Sequence, residues 1–247
     1  MTAALETRAV VKRFGGLIAT NDVSLSVPVG GRYALIGPNG AGKTTLINLL
    51  TGVLKLSSGQ ILLNGVDISG TRPDRRVAAG LVCTFQINQL FPALTPLQSV
   101  ALAVARRLGV DGALWRRLDR NAKVVAQSLE VLERFDLVDV MAAPVATLPY
   151  GRQRLLEIAL AVACGPKVLL LDEPAAGVPE GERDGILAGL TKLPADVAVL
   201  MIEHDMDLVF RFSQHIFVLV AGTLLTQGTP AEIAADPKVR EVYLGHD

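Results

Sequence analysis

At 247 residues, with 24 basic and 24 acidic side chains, the chain is long enough for one large domain with a substantial core. The charge balance argues against nucleic acid as a main partner, because phosphate-backbone binding shows as a basic surplus. Cys83 and Cys164, the two cysteines, lie in apolar stretches without C-x-x-C spacing, which points away from a disulfide framework or a metal centre. No apolar run approaches the ~18–20 residues of a membrane span, and no basic segment followed by an apolar block opens the chain. The expected compartment is the cytosol.

Short β-like runs come first, at Ala9 to Phe14, Val23 to Val27 and Tyr33 to Ile36. The third leads into Gly37-Pro38-Asn39-Gly40-Ala41-Gly42-Lys43-Thr44-Thr45, and Leu46 to Leu50 beyond it predicts a helix. Gln60 to Leu63, closed by Asn64-Gly65, predicts a hairpin, and Leu81 to Phe85 another strand. The arginines at 72, 75 and 76, and those at 106, 107, 116, 117 and 120, are expected on solvated faces. From Pro92 to Cys164 helix formers take over, as in Ser99 to Leu108 and Arg120 to Phe135. In the latter, Val124, Val125, Leu129, Leu132 and Phe135 are expected to line one face. Alternation then resumes with strand Val168 to Leu171, helix Glu180 to Leu193, strand Val197 to Ile202, and a closing pair at Ile216 to Val220 and Thr223 to Thr226. The pattern predicts an α/β core with largely parallel strands, over residues 1–91 and 165–247, and a helical insert over 92–164.

The run from Gly37 to Thr45 carries the chemistry. Its glycines let backbone N–H groups curl around an anion, Lys43 supplies charge for the outer phosphates, and the Thr44 hydroxyl can ligate Mg²⁺. With a strand before it and a helix after it, the run predicts a nucleoside triphosphate site at a helix N-terminus. No internal repeat accompanies it, so one such unit is expected. The buried run Val168 to Leu171 ends in Asp172-Glu173, where ligands collect in open α/β sheets. Asp172 is expected to hold Mg²⁺ through its water shell and Glu173 to polarise the attacking water as general base. His204 ends a second strand, predicted parallel, from which an imidazole could reach a γ-phosphate or that water. His215 and His246 have no such setting. Gln86, between strand and helical insert, is a candidate Mg²⁺ ligand and γ-phosphate sensor. Phe14, ahead of Gly15-Gly16, is a candidate to stack on adenine, although its type suits a core position equally.

In this order the residues resemble the ATP-binding subunits of ABC transporters along the whole chain. Gly37 to Thr44 matches the Walker A motif, Gln86 the Q-loop, Leu148-Pro149-Tyr150-Gly151-Arg152-Gln153 the signature motif, Val168 to Glu173 the Walker B motif, and His204 the switch histidine. The resemblance implies a P-loop NTPase core with a parallel sheet, an antiparallel β subdomain and a helical subdomain, using ATP and Mg²⁺. It further implies a head-to-tail dimer, with a second copy or a second ATPase subunit, in which Tyr150, Gly151, Arg152 and Gln153 meet the ATP held by the other subunit. Membrane permease subunits at the inner face of the cell membrane, and indirectly a periplasmic binding protein, are the implied partners.

Two positions depart from the family pattern. Pro149 stands where Ser is usual, and Pro179 where Asp or Asn is usual; proline supplies neither a hydroxyl nor an N–H. Several segments, among them Arg13-Phe14-Gly15-Gly16-Leu17, Leu90-Phe91-Pro92 and Val242-Tyr243-Leu244-Gly245, are similar to the larger ATPase subunit of branched-chain amino acid importers. Relatives in that branch are also associated with urea, other amides and aromatic acids. A soluble switch on ribosomes or DNA, an exporter and a binding-only subunit are the rival readings.

Overall fold

The computed structural model describes residues 3–84, 90–110 and 121–244; Gln86, Arg116, Arg117 and Arg120 lie outside them. In chain order the first elements are β1 (Ala3–Phe14), β2 (Leu17–Pro28), β3 (Arg32–Ile36), α1 (Lys43–Thr51), β4 (Ser58–Leu63), β5 (Val66–Asp67), α2 (Pro73–Ala79) and β6 (Leu81–Cys83). There follow α3 (Pro96–Arg107), α4 (Ala122–Arg134), α5 (Tyr150–Ala163), β7 (Val168–Asp172), α6 (Glu180–Thr191), β8 (Ala198–Ile202) and α7 (Met206–Phe212). The chain closes with β9 (His215–Val220), β10 (Thr223–Gly228), α8 (Pro230–Ala235) and α9 (Pro237–Leu244). The elements divide into two compact units, one of residues 1–83, 167–173 and 194–247, the other of 84–166 and 174–193.

The first unit contains two sheets. One is antiparallel with order β2-β1-β4-β5, the other runs β10-β9-β3-β8-β7-β6 and is parallel except for the β9/β10 pair. β1 and β2 are longer than their sequence suggests. Polar residues such as Glu6, Arg8, Asn21 and Asp22 interrupt the apolar runs, yet Val23, Leu25 and Val27 alternate inward with period two. A register shift between Thr7 and Val10, with Ala9 at φ 48°, carries the β1 ladder across its break. β7 and β8 are apolar and buried on both faces, as parallel strands are. The apolar side of α1, through Leu46, Leu49 and Leu50, joins one core with Leu35, Leu170, Leu200 and Phe217 of the parallel sheet and Leu5, Val27 and Ile61 of the antiparallel one. Asn64 and Gly65, at φ 50° and 79°, make the tight turn between β4 and β5 that the Asn-Gly pair predicts.

One arginine departs from the solvated face assigned to it. Arg76 is 2% exposed, and its guanidinium donates to the carbonyls of Leu49 (2.7 Å), Leu50 (2.6 Å), Thr71 (2.9 Å) and Ser69 (3.0 Å). It therefore serves two carbonyls of the last turn of α1, where the helical ladder runs out; that of Leu49 also accepts the Gly52 N–H at 3.2 Å.

The second unit is helical. α3 begins with a reciprocal Thr95–Gln98 capping box, and α4 is capped by the Asn121 side chain. The inward line of α4 is Val124, Ser128, Val131, Leu132 and Phe135; Val125 and Leu129 are only half-buried, which corrects the expected face. Ser128 fits inside because its hydroxyl donates to the Val124 carbonyl at 2.7 Å. No helix among the described residues is long and apolar enough to cross a membrane.

Candidate functional site

β3, β7 and β8 run parallel in register, with Leu35 and Asp172 both opposite Ile202. Their carboxyl ends therefore share one edge of the sheet, and whatever follows each strand meets there. After β3 comes the glycine-rich loop. A Cβ at Gly37 would lie 2.1 Å from the Leu219 carbonyl oxygen, and one at Gly42, where φ is 100°, 2.5 Å from that of Ala19. The loop is pinned at these points by β9 and β2, and by the Gly222 N–H donating to the Ala41 carbonyl at 2.9 Å. Gly40, at φ 77°, has nothing within 4 Å, leaving the outer rim of the loop open. α1 starts at Lys43 with no side-chain cap and no acidic residue in its first turn, so its first N–H groups and positive dipole end suit an anion.

Lys43 is buried, its ammonium donating to the carbonyls of Gly37 at 2.5 Å and Pro38 at 3.1 Å. Burial lowers its pKa, against the pull of the Glu173 and Asp172 carboxylates. Asp172, at the end of β7, has its pKa raised, first by burial and then by Glu173 and Glu203, while His204 and Lys43 oppose the shift. Glu173 has φ 48°, a left-handed backbone costly for a residue with a Cβ, and its N–H donates to the Ile202 carbonyl at 2.9 Å. That bend accompanies a 2.9 Å contact between Glu173 Oε1 and His204 Nε2.

Lys43, Asp172, Glu173 and His204 thus all belong to the first unit, around one sheet edge. Thr44 is exposed and Thr45 half-buried at the start of α1. Phe14 ends β1 with 46% exposure and the Lys12 ammonium 4.9 Å from its ring centroid, so it is not a core residue. Pro149 is the N-cap of α5, without a side-chain cap bond. Around it, the Tyr150 hydroxyl donates to the Ala176 carbonyl at 3.2 Å, Gln153 to that of Leu148 at 2.9 Å, and Arg152 pairs with Asp139 at 3.2 Å. A Cβ at Gly151 would meet a Glu182 carboxylate oxygen at 2.3 Å. These signature residues belong to the second unit.

The donor set fits a metal that arrives with its substrate. Among the described residues no three His, Cys, Asp or Glu side chains gather to hold an ion. The acidic crowding at Asp172 nevertheless favours a cation, and Mg²⁺ characteristically takes one or two protein oxygens, with water and phosphate completing its shell.

Residues 20–176 match the family model described as ABC transporter. The chain belongs to this family. It is an ABC ATPase, whose cassette binds ATP and ADP. Its residues 223–247 further match the model described as branched-chain amino acid ATP-binding cassette transporter. Across 98% of this ABC ATPase and 97% of the relative, it is 40% identical to the high-affinity branched-chain amino acid transport ATP-binding protein BraF of Pseudomonas aeruginosa. At the same coverage it is 38% identical to the protein of that description, LivG, of Escherichia coli. Among solved structures, an ATP-binding cassette of an ABC transporter in its ADP conformation aligns with TM-score 0.86 and 30% identity over the whole of both chains. A nucleotide-free cassette aligns with TM-score 0.85 and 30% identity, over 98% of this chain and 99% of that one.

Sequence reasoning missed one buried group at the site, Glu203, and one at the far end of α1, Arg76. Glu203, 4% exposed, is hidden by its neighbour His204, and only the apolar run ahead of it hinted at burial. Arg76 is masked by two exposed arginines at 72 and 75.

Proposed function

We propose that the chain is the ATP-hydrolysing subunit of an importer for branched-chain or related amino acids, docked on permease subunits at the inner face of the cell membrane. The observation that carries this reading is similarity along nearly the full length to ATP-binding proteins of branched-chain amino acid transport, with the separate match at residues 223–247. Urea, amide or aromatic-acid cargo, and a soluble switch, have no comparable support.

In the proposed mechanism the loop from Gly37 to Thr45 and the N–H groups of α1 receive the phosphates, and Lys43 leaves its carbonyl partners to meet them. Mg²⁺, when bound with ATP, would neutralise phosphate charge, with Thr44, Asp172 and Gln86 as its protein ligands. Glu173 takes a proton from the attacking water as its oxygen bonds to the γ-phosphorus and the bond to ADP breaks. His204, already against Glu173, holds that carboxylate and the γ-phosphate in line. Phe14 stacks on adenine. Residues 92–164 form the helical insert, and Tyr150, Gly151, Arg152 and Gln153 close over the ATP of a head-to-tail partner. With Pro149 and Pro179 in that arrangement, the closing contacts fall to the backbone beyond Pro149 and the dipole of α5. A periplasmic binding protein would deliver cargo to the permeases.

The test is turnover and assembly of Glu173→Gln, with the permeases present. Hydrolysis should fall by about 10²–10⁴-fold while ATP is retained and a dimer accumulates. Turnover at the wild-type rate would remove Glu173 as the base. Uptake of labelled leucine into vesicles containing the reconstituted complex checks the cargo.

A further inference from the structure

The turn that presents His204 is held from beneath by its own predecessor. β8 ends at Ile202, and Glu203 follows with 4% exposure. Its carboxylate oxygen Oε2 accepts the backbone N–H of His204 at 2.8 Å and that of Asp205 at 3.3 Å. The Asp205 side chain accepts the Leu208 N–H at 3.1 Å and so starts α7. The residues flanking the turn are also fixed, since Glu173 N–H bonds to the Ile202 carbonyl. One carboxylate therefore joins the end of β8 to the two peptides that aim the imidazole at Glu173, 2.9 Å away.

We infer that Glu203 is a positioning residue for the ATPase reaction, fixing the backbone of the His204 turn through these two accepted hydrogen bonds. It touches neither nucleotide nor water in the mechanism above, and it acts through His204. A buried carboxylate is costly unless it is bonded, and bonds from backbone N–H groups to an ionised oxygen are the strong kind. The inference rests on the ATPase reading for its kinetic consequence, but the orientation of the imidazole can be read without nucleotide.

The experiment compares Glu203→Met, which keeps length and removes the acceptor, with Glu203→Gln, which keeps an acceptor oxygen without the charge. In nucleotide-free protein, ring ¹³C–¹H spectra of the three histidines, with His204→Ala used to assign the His204 signal, should show that signal displaced or broadened in Glu203→Met. In Glu203→Gln it should stay near its wild-type position, and the His215 signal should be unmoved in both. Turnover of the full chain should fall about 100-fold in Glu203→Met, the scale of a misplaced catalytic group, with ATP affinity unchanged. Glu203→Gln should restore it to within about threefold, as a neutral bond of the same geometry allows. An unshifted His204 signal together with wild-type turnover in Glu203→Met would overturn the inference. If that variant fails to fold, amide exchange in the wild type decides: protected His204 and Asp205 N–H groups support the role, and unprotected ones refute it. Wild-type protein that hydrolyses no ATP would instead count against the ATPase reading and leave the histidine spectra as the test.

Discussion

Replacing Arg76 by methionine separates two views of a basic residue that look alike in sequence. On a solvated face the change would cost within about 0.5 kcal/mol. Here the substitution keeps an apolar stem but takes the guanidinium donor from the carbonyls of Leu50, Ser69 and Thr71, bonded at 2.6, 3.0 and 2.9 Å, and leaves that of Leu49 with the Gly52 N–H alone. Each buried acceptor left bare costs roughly 1–3 kcal/mol. Removing a guanidinium whose own pKa is lowered by burial, against the pull of Asp67, returns part of that. A net loss of about 3 kcal/mol follows, in line with breaking other buried charged contacts. For a chain of this size, at ~2–4 °C per kcal/mol, the melting temperature should fall roughly 6–12 °C. Thermal melting followed by circular dichroism measures the total, and amide exchange in the last turn of α1 shows whether the loss begins there. Arg76→Lys should recover less than half, because one ammonium cannot serve four carbonyls in the plane of a guanidinium. A melting point within about 1 °C of wild type would refute the capping role.

The phosphate loop offers a paired test. Gly42→Ala forces a Cβ against a backbone oxygen at 2.5 Å and should abolish binding of a fluorescent ATP analogue, whereas Gly40→Ala, in open space, should cost only about 1–2 kcal/mol of left-handed strain. Asp172→Asn should raise the melting temperature of nucleotide-free protein at pH 7.5 while removing most of the stabilisation by Mg²⁺-ATP. Because the folded pKa of Asp172 is raised, its ionised form weakens the folded state above that pKa. The advantage of Asn should shrink as pH falls through the raised folded pKa and be lost below about 4, where Asp becomes protonated in the unfolded chain too, and an advantage constant with pH would refute this. Cys83, pushed up to about 12 by burial, should resist iodoacetamide at pH 8 in the native protein and react in urea, as mass spectrometry will read.

Much of the site was legible because phosphate chemistry constrains both residue type and spacing. The loop, the Asp172-Glu173 pair and His204 each follow an apolar strand, and the parallel register brings those strand ends together. What was hidden depends on long-range packing. Nothing local distinguishes Arg76 from Arg75, since only folding brings the end of α1 beneath it. Glu203 reads as one more acid beside a histidine until its oxygen is seen bonded to the turn. The extent of β1 and β2 was concealed by polar outward positions and by a bulge, which interrupt periodicity without interrupting the ladder. The line of α4 shifted because a serine with an internal partner is cheap to bury, so an apolar wheel underweights it.

The pinning of the phosphate loop has a consequence for synthesis on the ribosome. β3 enters the loop, yet its two sheet neighbours are β8 and β9, and the loop itself is fastened by Leu219 and Gly222. These partners are translated long after the loop has emerged. Until they arrive, β3 has two unpaired edges and the loop has only the support of Ala19 in β2, so the nucleotide site is assembled only after β9 has emerged. The early-emerging portion of the chain therefore waits as an open β-edge, a template on which another chain can pair.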